Sequence, residues 1–358
     1  MDLAAVIFPL FLVGALAGLA AERLARQFSG AATGWRRLGI SALLFGALAA
    51  GYWYFLSTSA EFSTLDRRAL VSGYAVRMVS AFVMLTISLT DFDLLMIPDL
   101  VMIPATLLAV AAMTAFDAEL PVRWVTDEGV RAAATPLTAL PPWLMPGART
   151  MTTVSILCWL FWCFALLDRR FYANLGVRRA VYLFCRRLVL SRLTWVLAGL
   201  AFFGTAAISL LACHAPDYLP RLFSSLIGLA VAMILVWTVR LVGGVLLGRE
   251  AMGFGDVVLM GFIGAITGWQ GGVAVFFLAP FAGIFFGLAR AAFRTKREIP
   301  YGPFLCLATV ALYFFWGPIW RAAGDLFSAP MIVLILAAVC LVTLVILLGI
   351  IRLLRVLF

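Results

Sequence analysis

Long apolar runs separated by short polar segments dominate the chain. We predict a membrane-spanning helix in each of eleven runs, near residues 3–21, 38–57, 70–90, 97–116, 150–167, 194–212, 222–247, 257–269, 271–289, 302–319 and 329–350. The eighth run is shorter than the roughly 20 residues that a helix needs to cross a bilayer, so we expect it to be tilted, capped by protein or extended beyond these bounds. The pattern predicts an all-α fold, a polytopic transmembrane helix bundle.

The polar segments between the runs differ in their positive charge. Eighteen of the 27 Lys and Arg residues fall in one alternating set of segments and seven in the other. Because short loops rich in Lys and Arg stay in the cytoplasm, we place the N-terminus outside and the C-terminus inside, which agrees with an odd number of crossings. Arg77 and Arg240 fall within apolar runs. We expect both to reach the nearest interface; the alternative is a buried partner for a carboxylate.

Composition supports a membrane protein and weakens other classes. The chain is 65% hydrophobic and 12% charged, against about half and a quarter in soluble domains. Its net charge of +10 reflects topology more than nucleic-acid binding, and the arginines of residues 169–192 suit anionic lipid or a secretion partner. The six cysteines form no Cys-x-x-Cys pair, and the single histidine, His214, has no cluster of ligands around it. We therefore expect neither a metal nor a cofactor.

Two acidic clusters carry the candidate chemistry. The run Asp91-Phe-Asp93-Leu-Leu-Met-Ile-Pro98-Asp99 joins the third and fourth apolar runs, and Gly253-Phe-Gly255-Asp256 precedes the eighth. The charge pattern places both clusters on the cytoplasmic side, where carboxylates beside hydrocarbon need a partner or a wet cavity. The glycines would permit backbone conformations closed to other residues, and they would also let another chain approach closely.

Two carboxyl groups on one membrane face can act as an acid and a base. An ionised carboxylate takes a proton from water, while its protonated partner donates a hydrogen bond to the peptide carbonyl. Like charges held close share one proton near neutral pH. Asp91 and Asp256 are the candidate pair, whereas Asp93 and Asp99 are either helix caps or groups that support the pair. A bare Gly-x-Gly-Asp also arises by chance, so these residue types alone leave catalysis open.

Four segments in order resemble the motifs of the type IV prepilin peptidases. The Asp91 run is similar to their first-aspartate motif, and Gly253-Phe-Gly255-Asp256 to their second. Two later segments are also similar to the family, Gly264-Ala-Ile-Thr-Gly-Trp269 and Ile299-Pro300-Tyr301-Gly302-Pro303-Phe304-Leu305, which resembles a Pro-Phe-Gly-Pro-Phe motif. The resemblance covers roughly residues 70–116 and 222–310.

The resemblance implies a membrane aspartyl endopeptidase with Asp91 and Asp256 as its catalytic pair. Such an enzyme cleaves the leader of prepilin-like or pseudopilin-like proteins at the cytoplasmic face of the inner (plasma) membrane, after a glycine and before a hydrophobic helix. The residues that would shape its site are Gly253, Gly255, Pro98, Pro300, Gly302 and Pro303. Apart from that reading, the two prolines near 300 would simply start the next helix. The implied partners are the substrate and membrane lipid, without nucleic acid.

The chain departs from the family pattern in three places. Many members carry a cytosolic domain with Cys-x-x-Cys pairs between the first two helices, associated with N-methylation from S-adenosylmethionine. Here that loop spans only about 23–37 and has no cysteine, so we expect no methyltransferase activity. Val258 stands where the family often has a lysine. The third departure is an insertion between the two aspartates.

The insertion gives the chain three regions. Residues 1–69 form an N-terminal two-helix segment, 70–310 a peptidase core interrupted by an insertion near 117–215, and 311–358 a C-terminal helix region. We expect the two extra helices of the insertion to pack outside the catalytic bundle. An inactive scaffold for a pilus or secretion assembly, and a proton-coupled transporter, remain alternative functions. The acids cluster on one face, which counts against the transporter, and the intact aspartates count against the scaffold.

Overall fold

The computed structural model describes most of the chain. The described residues are 3–30, 35–59, 67–116, 122–126, 129–133, 147–167, 192–247, 252–293, 300–328 and five single positions between 331 and 342. They form helices α1 (Leu3–Ser29), α2 (Trp35–Thr58), α3 (Arg67–Leu94), α4 (Asp99–Ala115), α5 (Ala148–Ala165), α6 (Arg192–His214), α7 (Leu219–Leu247), α8 (Phe254–Phe293) and α9 (Gly302–Ser328). A single 3₁₀ turn, Pro216–Tyr218, precedes α7.

The predicted helical membrane architecture is confirmed in outline. Within the described residues, eight helices are long and apolar enough to cross a membrane when α8 is counted as one, and α4 is a shorter apolar helix. The exception to the helical fold is a hairpin inside the insertion, in which β1 (Val122–Thr126) pairs antiparallel with β2 (Gly129–Ala133). Eleven crossings and the orientation of the termini stay predictions, and the expected span 329–350 lies largely outside the described residues.

Helix α8 is two helical arms that reverse direction at Gly268. This glycine has φ 72° and ψ 177°, a region of backbone conformation that is essentially restricted to glycine. In a straight helix, Gly264 and Gly272 would lie about 12 Å apart along the axis. Instead, a Cβ atom on Gly272 would lie 3.6 Å from the Cα of Gly264. The arms 254–267 and 269–293 therefore run side by side, as expected for the separate eighth and ninth apolar runs.

Packing against α7 stabilises this reversal. The Cβ that Gly228 lacks would lie 2.8 Å from the Cα of Gly268, so the two backbones touch. The carbonyl of Ala265 lies three residues before the break at Gly268. The buried hydroxyl of Ser225 on α7 donates to that carbonyl at 2.8 Å. A polar backbone group inside the bundle is thus satisfied by protein, as hydrocarbon surroundings require.

The N-terminal helices α1 and α2 pack through small residues. Gly14 and Gly18 lie one helical turn apart, and a Cβ on Gly14 would lie 2.7 Å from the Cβ of Ala49. A Cβ on Gly18 would meet the backbone of Ser41. Small residues at this spacing let membrane helices approach closely. The pair α1–α2 is therefore a tightly packed unit, and it contacts α3.

The core surrounds the first arm of α8. Residues 256–266 of that arm are buried throughout, and α8 packs against α4, α7 and α9. Helix α3 in turn packs against α9 and α1. Helix α5 of the insertion lies against α6 and α7; its place outside the catalytic bundle stays a prediction. Asp168 and Arg170, at the end of that insertion helix, lie outside the described residues.

Candidate active site

Asp91 lies in the last turn of α3, where the chain makes an unusual bend. Leu95 has φ 55°, a left-handed conformation that is uncommon for a residue with a Cβ atom. Its N–H donates to the carbonyl of Asp91 at 2.8 Å, which closes the helix. The Asp91 side chain is 5% exposed. The bend turns the chain at once towards Ile97 and Pro98 and leaves the carboxyl group at the helix end.

Asp256 lies in the first turn of α8. Its carboxyl group accepts a hydrogen bond from the backbone N–H of Gly253, the residue just before the helix. This is the return half of a capping box, in which the third helical residue reaches back to the cap. The side chain is 8% exposed. Both aspartates are therefore largely withdrawn from solvent at helix ends.

The structure brings the two aspartates together at one end of the bundle. The carboxyl groups of Asp91 and Asp256 are close enough to interact electrostatically. Cys306, one turn along α9, lies within reach of both. Ile97 is packed between the two motifs: its Cβ lies 2.9 Å from where a Cβ would stand on Gly255, and its Cδ1 lies 3.4 Å from the same position on Gly302.

The start of α9 supports Asp91 directly. The N–H of Gly302 donates to the Asp91 carboxyl group, and a Cβ on Gly302 would lie 2.6 Å from Asp91 Oδ2. The first N–H groups of a helix have no partner within the helix and favour an anion there. Pro300 and Pro303 are buried on either side. Pro303 lies in the first turn of α9, where its missing N–H costs no helical hydrogen bond.

The two glycines before Asp256 have different roles. Among the described glycines, positive φ occurs at Gly30 and Gly268, so the expectation of a special backbone conformation at Gly253 and Gly255 is wrong. The expectation of a close approach holds for Gly255, which lies against Ile97. A Cβ on Gly253 would lie 3.5 Å from Asp256 Oδ2, an ordinary contact distance. Gly255 is therefore required by packing, and Gly253 is not.

Asp93 and Asp99, the two acids expected to cap helices or to support the pair, have different surroundings in the structure. Both Asp93 carboxylate oxygens accept hydrogen bonds from Arg37 of α2, at 2.8 and 3.3 Å, so Asp93 supports the end of α3 and caps no helix. Asp99 is exposed in the first turn of α4, behind Pro98, which occupies the N-cap position. A carboxylate there stabilises the helix through its dipole. Asp99 is thus a residue of the helix start.

The arginines within the apolar runs behave differently. Arg77 is 3% exposed and lies 6.0 Å from the ring centre of Tyr52, so the expectation that it reaches the interface is wrong. The guanidinium of Arg240 lies 5.2 Å from the ring centre of Phe254, at the start of α8, and within electrostatic reach of Asp256. For Arg240 the structure favours part of the alternative, which was a buried partner for a carboxylate: Arg240 lies near Asp256 but is only half-buried. A charge inside an apolar run was the signal for this role.

Tyr301 adds a proton donor beside the pair. Burial, and after it the nearby Asp256 carboxylate, raises the pKa of the Tyr301 phenol to about 12. The phenol therefore keeps its proton at neutral pH. Of the contacts around the pair, those of Ile97 and Arg37 were not predicted from the sequence. Ile97 lies within the first-aspartate motif but is apolar, Arg37 lies outside the motifs, and the partners of both lie on helices distant in sequence.

The side chains that could bind a metal ion do not cluster in the described residues. Among them, no group of three or more His, Cys, Asp or Glu side chains could hold a metal ion. The chemistry available at this end of the bundle is that of two close carboxyl groups, each supported by one backbone N–H.

Comparisons with known proteins match part of the chain. Residues 157–288 match the type IV leader peptidase family; the matched stretch includes Asp256, while Asp91 precedes it. Similar curated proteins are prepilin leader peptidase/N-methyltransferases. The protein of Aeromonas salmonicida (strain A449) is 30% identical over 136 residues, covering 32% of this chain and 45% of the relative. That of Aeromonas hydrophila is 32% identical over the same shares.

A third relative, from Burkholderia pseudomallei (strain K96243), is 31% identical over 104 residues, covering 28% of this chain and 34% of the relative. The chain thus spans less than half the length of these relatives. No solved structure matches it significantly. These matches agree with the family predicted from the four motifs.

Proposed function

We propose, for a chain that matches the type IV leader peptidase family over residues 157–288, an aspartic-type endopeptidase activity carried by Asp91 and Asp256. One observation carries the proposal: two buried carboxyl groups from motifs far apart in sequence meet at one end of the bundle. Burying two acids side by side is costly, and a bundle built only for stability would gain nothing from it. Buried acids held together in this way are typical of catalytic sites.

The pair supports hydrolysis by a water molecule. The ionised carboxylate takes a proton from water as the oxygen attacks the carbonyl carbon, and the protonated carboxyl group donates its hydrogen bond to the carbonyl oxygen. When the carbon–nitrogen bond breaks, the leaving nitrogen receives a proton, and the pair returns to its singly protonated state. No covalent intermediate forms. Arg240, within reach of Asp256, favours a negative charge on the pair.

The substrate class follows from the relatives. Their names describe prepilin leader peptidases, so we propose a prepilin-like or pseudopilin-like substrate, cleaved between its leader and its hydrophobic helix. The same names include an N-methyltransferase. Here α1 ends at Ser29 and α2 begins at Trp35, which leaves no room for an inserted domain. We therefore propose peptidase activity without methylation.

The charge pattern supports the location of the reaction. The aspartates lie at the end of the bundle where α1 ends and α2 begins, and the segments there are rich in arginine. Because such segments stay in the cytoplasm, we propose cleavage at the cytoplasmic face of the inner membrane. Membrane lipid surrounds the bundle in this proposal.

Replacing either carboxyl group tests the proposal. Asn is nearly isosteric with Asp but cannot act as an acid or a base, so Asp91→Asn and Asp256→Asn should each lower cleavage by about 10²- to 10⁴-fold. Since the groups act as a unit, the double variant should be little worse than either single one. The measurement is cleavage of a co-expressed prepilin-like substrate, with equal amounts of each variant in the membrane.

A matched control is Asp217→Asn, the same change at an exposed aspartate in the 3₁₀ turn before α7. It should cleave as the wild type does. Cleavage that persists in both site variants would contradict the assignment. Absence of cleavage by the wild type, tested on several prepilin-like substrates, would favour the alternative of an inactive scaffold.

A further inference from the structure

Four charged side chains form a cluster beside the aspartate pair, which we call the N-terminal ion cluster: Glu22 and Arg26 of α1, Arg37 of α2 and Asp93 of α3. Arg26 Nη2 lies 2.7 Å from Glu22 Oε1, and Arg37 Nε lies 3.3 Å from the same oxygen. Arg37 also reaches Asp93 at 2.8 Å. The guanidinium of Arg37 thus connects a carboxylate of α1 with a carboxylate at the end of α3.

Three of the four side chains of the cluster are largely buried. Glu22, Arg26 and Asp93 are 0%, 6% and 10% exposed, whereas Arg37 is 40% exposed. The Ser41 hydroxyl donates a further hydrogen bond to Glu22. Apolar side chains of the same volume would often hold three helices together equally well. Stability alone therefore gives a weak reason for four charges here. Charged groups additionally fix the geometry of a contact, because their hydrogen bonds are directional.

That direction matters because Asp93 lies two residues after Asp91. Arg37 donates to both oxygens of Asp93, and a two-point contact of this kind fixes both the position and the rotation of the carboxylate. The left-handed Leu95 follows two residues later. The last turn of α3 is therefore held by Arg37 through Asp93 and closed by the hydrogen bond from the Leu95 N–H to the Asp91 carbonyl.

We propose that Arg37 is a positioning residue for the aspartate pair, which holds Asp91 in place through Asp93 and makes the helix pair α1–α2 part of the catalytic machinery. The inference rests on the proposed peptidase function. It assigns to the N-terminal segment a role beyond membrane anchoring. In this role, Arg37 never touches the substrate and acts only through the end of α3.

Steady-state cleavage by the purified full-length protein in lipid nanodiscs tests the proposal. Arg37→Gln removes the charge and leaves Asp93 buried without that partner, so kcat should fall at least tenfold while KM changes less than threefold. Arg36→Gln is the matched control: it removes one positive charge from the neighbouring, exposed position of the same helix. That variant should keep the kcat of the wild type.

Two further variants separate positioning from a general loss of stability. In Arg37→Gln/Asp93→Asn no carboxylate is left unpaired at the end of α3, so kcat should recover part of the loss seen in Arg37→Gln. Arg37→Lys keeps the charge but loses the two-point contact, and it should show an intermediate kcat at an unchanged melting temperature. If Arg37→Gln does not reach the membrane, the kcat and the melting temperature of Arg37→Lys test the positioning role instead.

The outcomes distinguish the two proposals. Equal kcat values for Arg37→Gln and Arg36→Gln, or a wild-type kcat in Arg37→Lys, would overturn the positioning role and leave the peptidase proposal standing. The positioning role would also be overturned if Arg37→Gln had the kcat of the wild type at assay temperatures well below its own melting temperature. Failure of the wild type to cleave any prepilin-like substrate would overturn both.

Discussion

At the residue scale, glycines beside the aspartate pair leave space for neighbouring side chains. Gly255 and Gly302 leave the space that Ile97 and the Asp91 carboxyl group occupy. The sequence predicted both aspartates and all these glycines through motifs whose members are close together in the chain. It did not predict Ile97 or Arg37, because their partners lie on other helices and an apolar or basic residue carries no local mark of such a contact.

The two glycines of the second motif should respond differently to one added methyl group. In Gly255→Ala the new Cβ would stand 2.9 Å from the Cβ of Ile97, so Ile97 or α8 must shift. Because a displacement of about 1 Å in a catalytic site costs on the order of 10²-fold in rate, kcat should fall by about that factor. Gly253→Ala meets only an ordinary contact at 3.5 Å and should retain activity within threefold.

Cleavage rates of the two purified variants check this expectation, with the melting temperatures as a control for folding. Equal losses in both variants would mean that backbone freedom, and not the contact with Ile97, explains the Gly-x-Gly pattern.

At the element scale, the apolar pattern predicted which segments are helical but not where they end. Helix α1 was expected to end near residue 21 and continues to Ser29, because Glu22 and Arg26 are buried in the N-terminal ion cluster instead of facing water. The eighth and ninth apolar runs were predicted as separate helices, and Gly268 does separate them. A hydropathy pattern records how much side chains favour apolar surroundings, and it cannot include a charge that another helix neutralises.

Gly268→Ala should destabilise the bundle. Its φ of 72° and ψ of 177° are almost closed to other residues, at a cost of about 1–3 kcal/mol, and its backbone touches Gly228. The matched control is Gly199→Ala in α6, where a Cβ would meet nothing within 4 Å. Replacing a glycine inside a helix at an open position is neutral or stabilises by about 0.5–1 kcal/mol.

Thermal unfolding in detergent compares the two variants. A melting temperature of Gly268→Ala equal to that of Gly199→Ala would contradict the reversal at this residue.

At the scale of the whole molecule, charge predicts which loops share a face. The ion pair between Arg37 and Asp93 places the start of α2 and the end of α3 on one face, in agreement with the expected alternation. The same alternation sets the loops at residues 117–149 and 168–193 on opposite faces, although the second loop lies outside the described residues. The number of crossings could not be fixed from apolar runs alone, since a run such as 257–269 need not cross the membrane.

Cysteines introduced at Val125 and Ala180, in a variant whose six native cysteines are replaced by alanine, test this arrangement. A membrane-impermeant maleimide should label position 125 in intact cells and position 180 only after permeabilisation, because arginine-rich loops stay inside. Labelling of both positions in intact cells would refute the topology. A variant with cysteine at neither position measures the background.

The reversal at Gly268 also constrains how the protein is made. The first arm of α8, residues 254–267, rises about 21 Å at ~1.5 Å per residue, less than the hydrocarbon thickness of about 30 Å. Such an arm is a poor candidate for independent release from the translocon into lipid, because the carbonyl of Ala265 would enter hydrocarbon without the Ser225 hydroxyl that it bonds. Biogenesis should therefore retain α7 beside the channel until both arms have emerged, and the three segments should leave for the bilayer together.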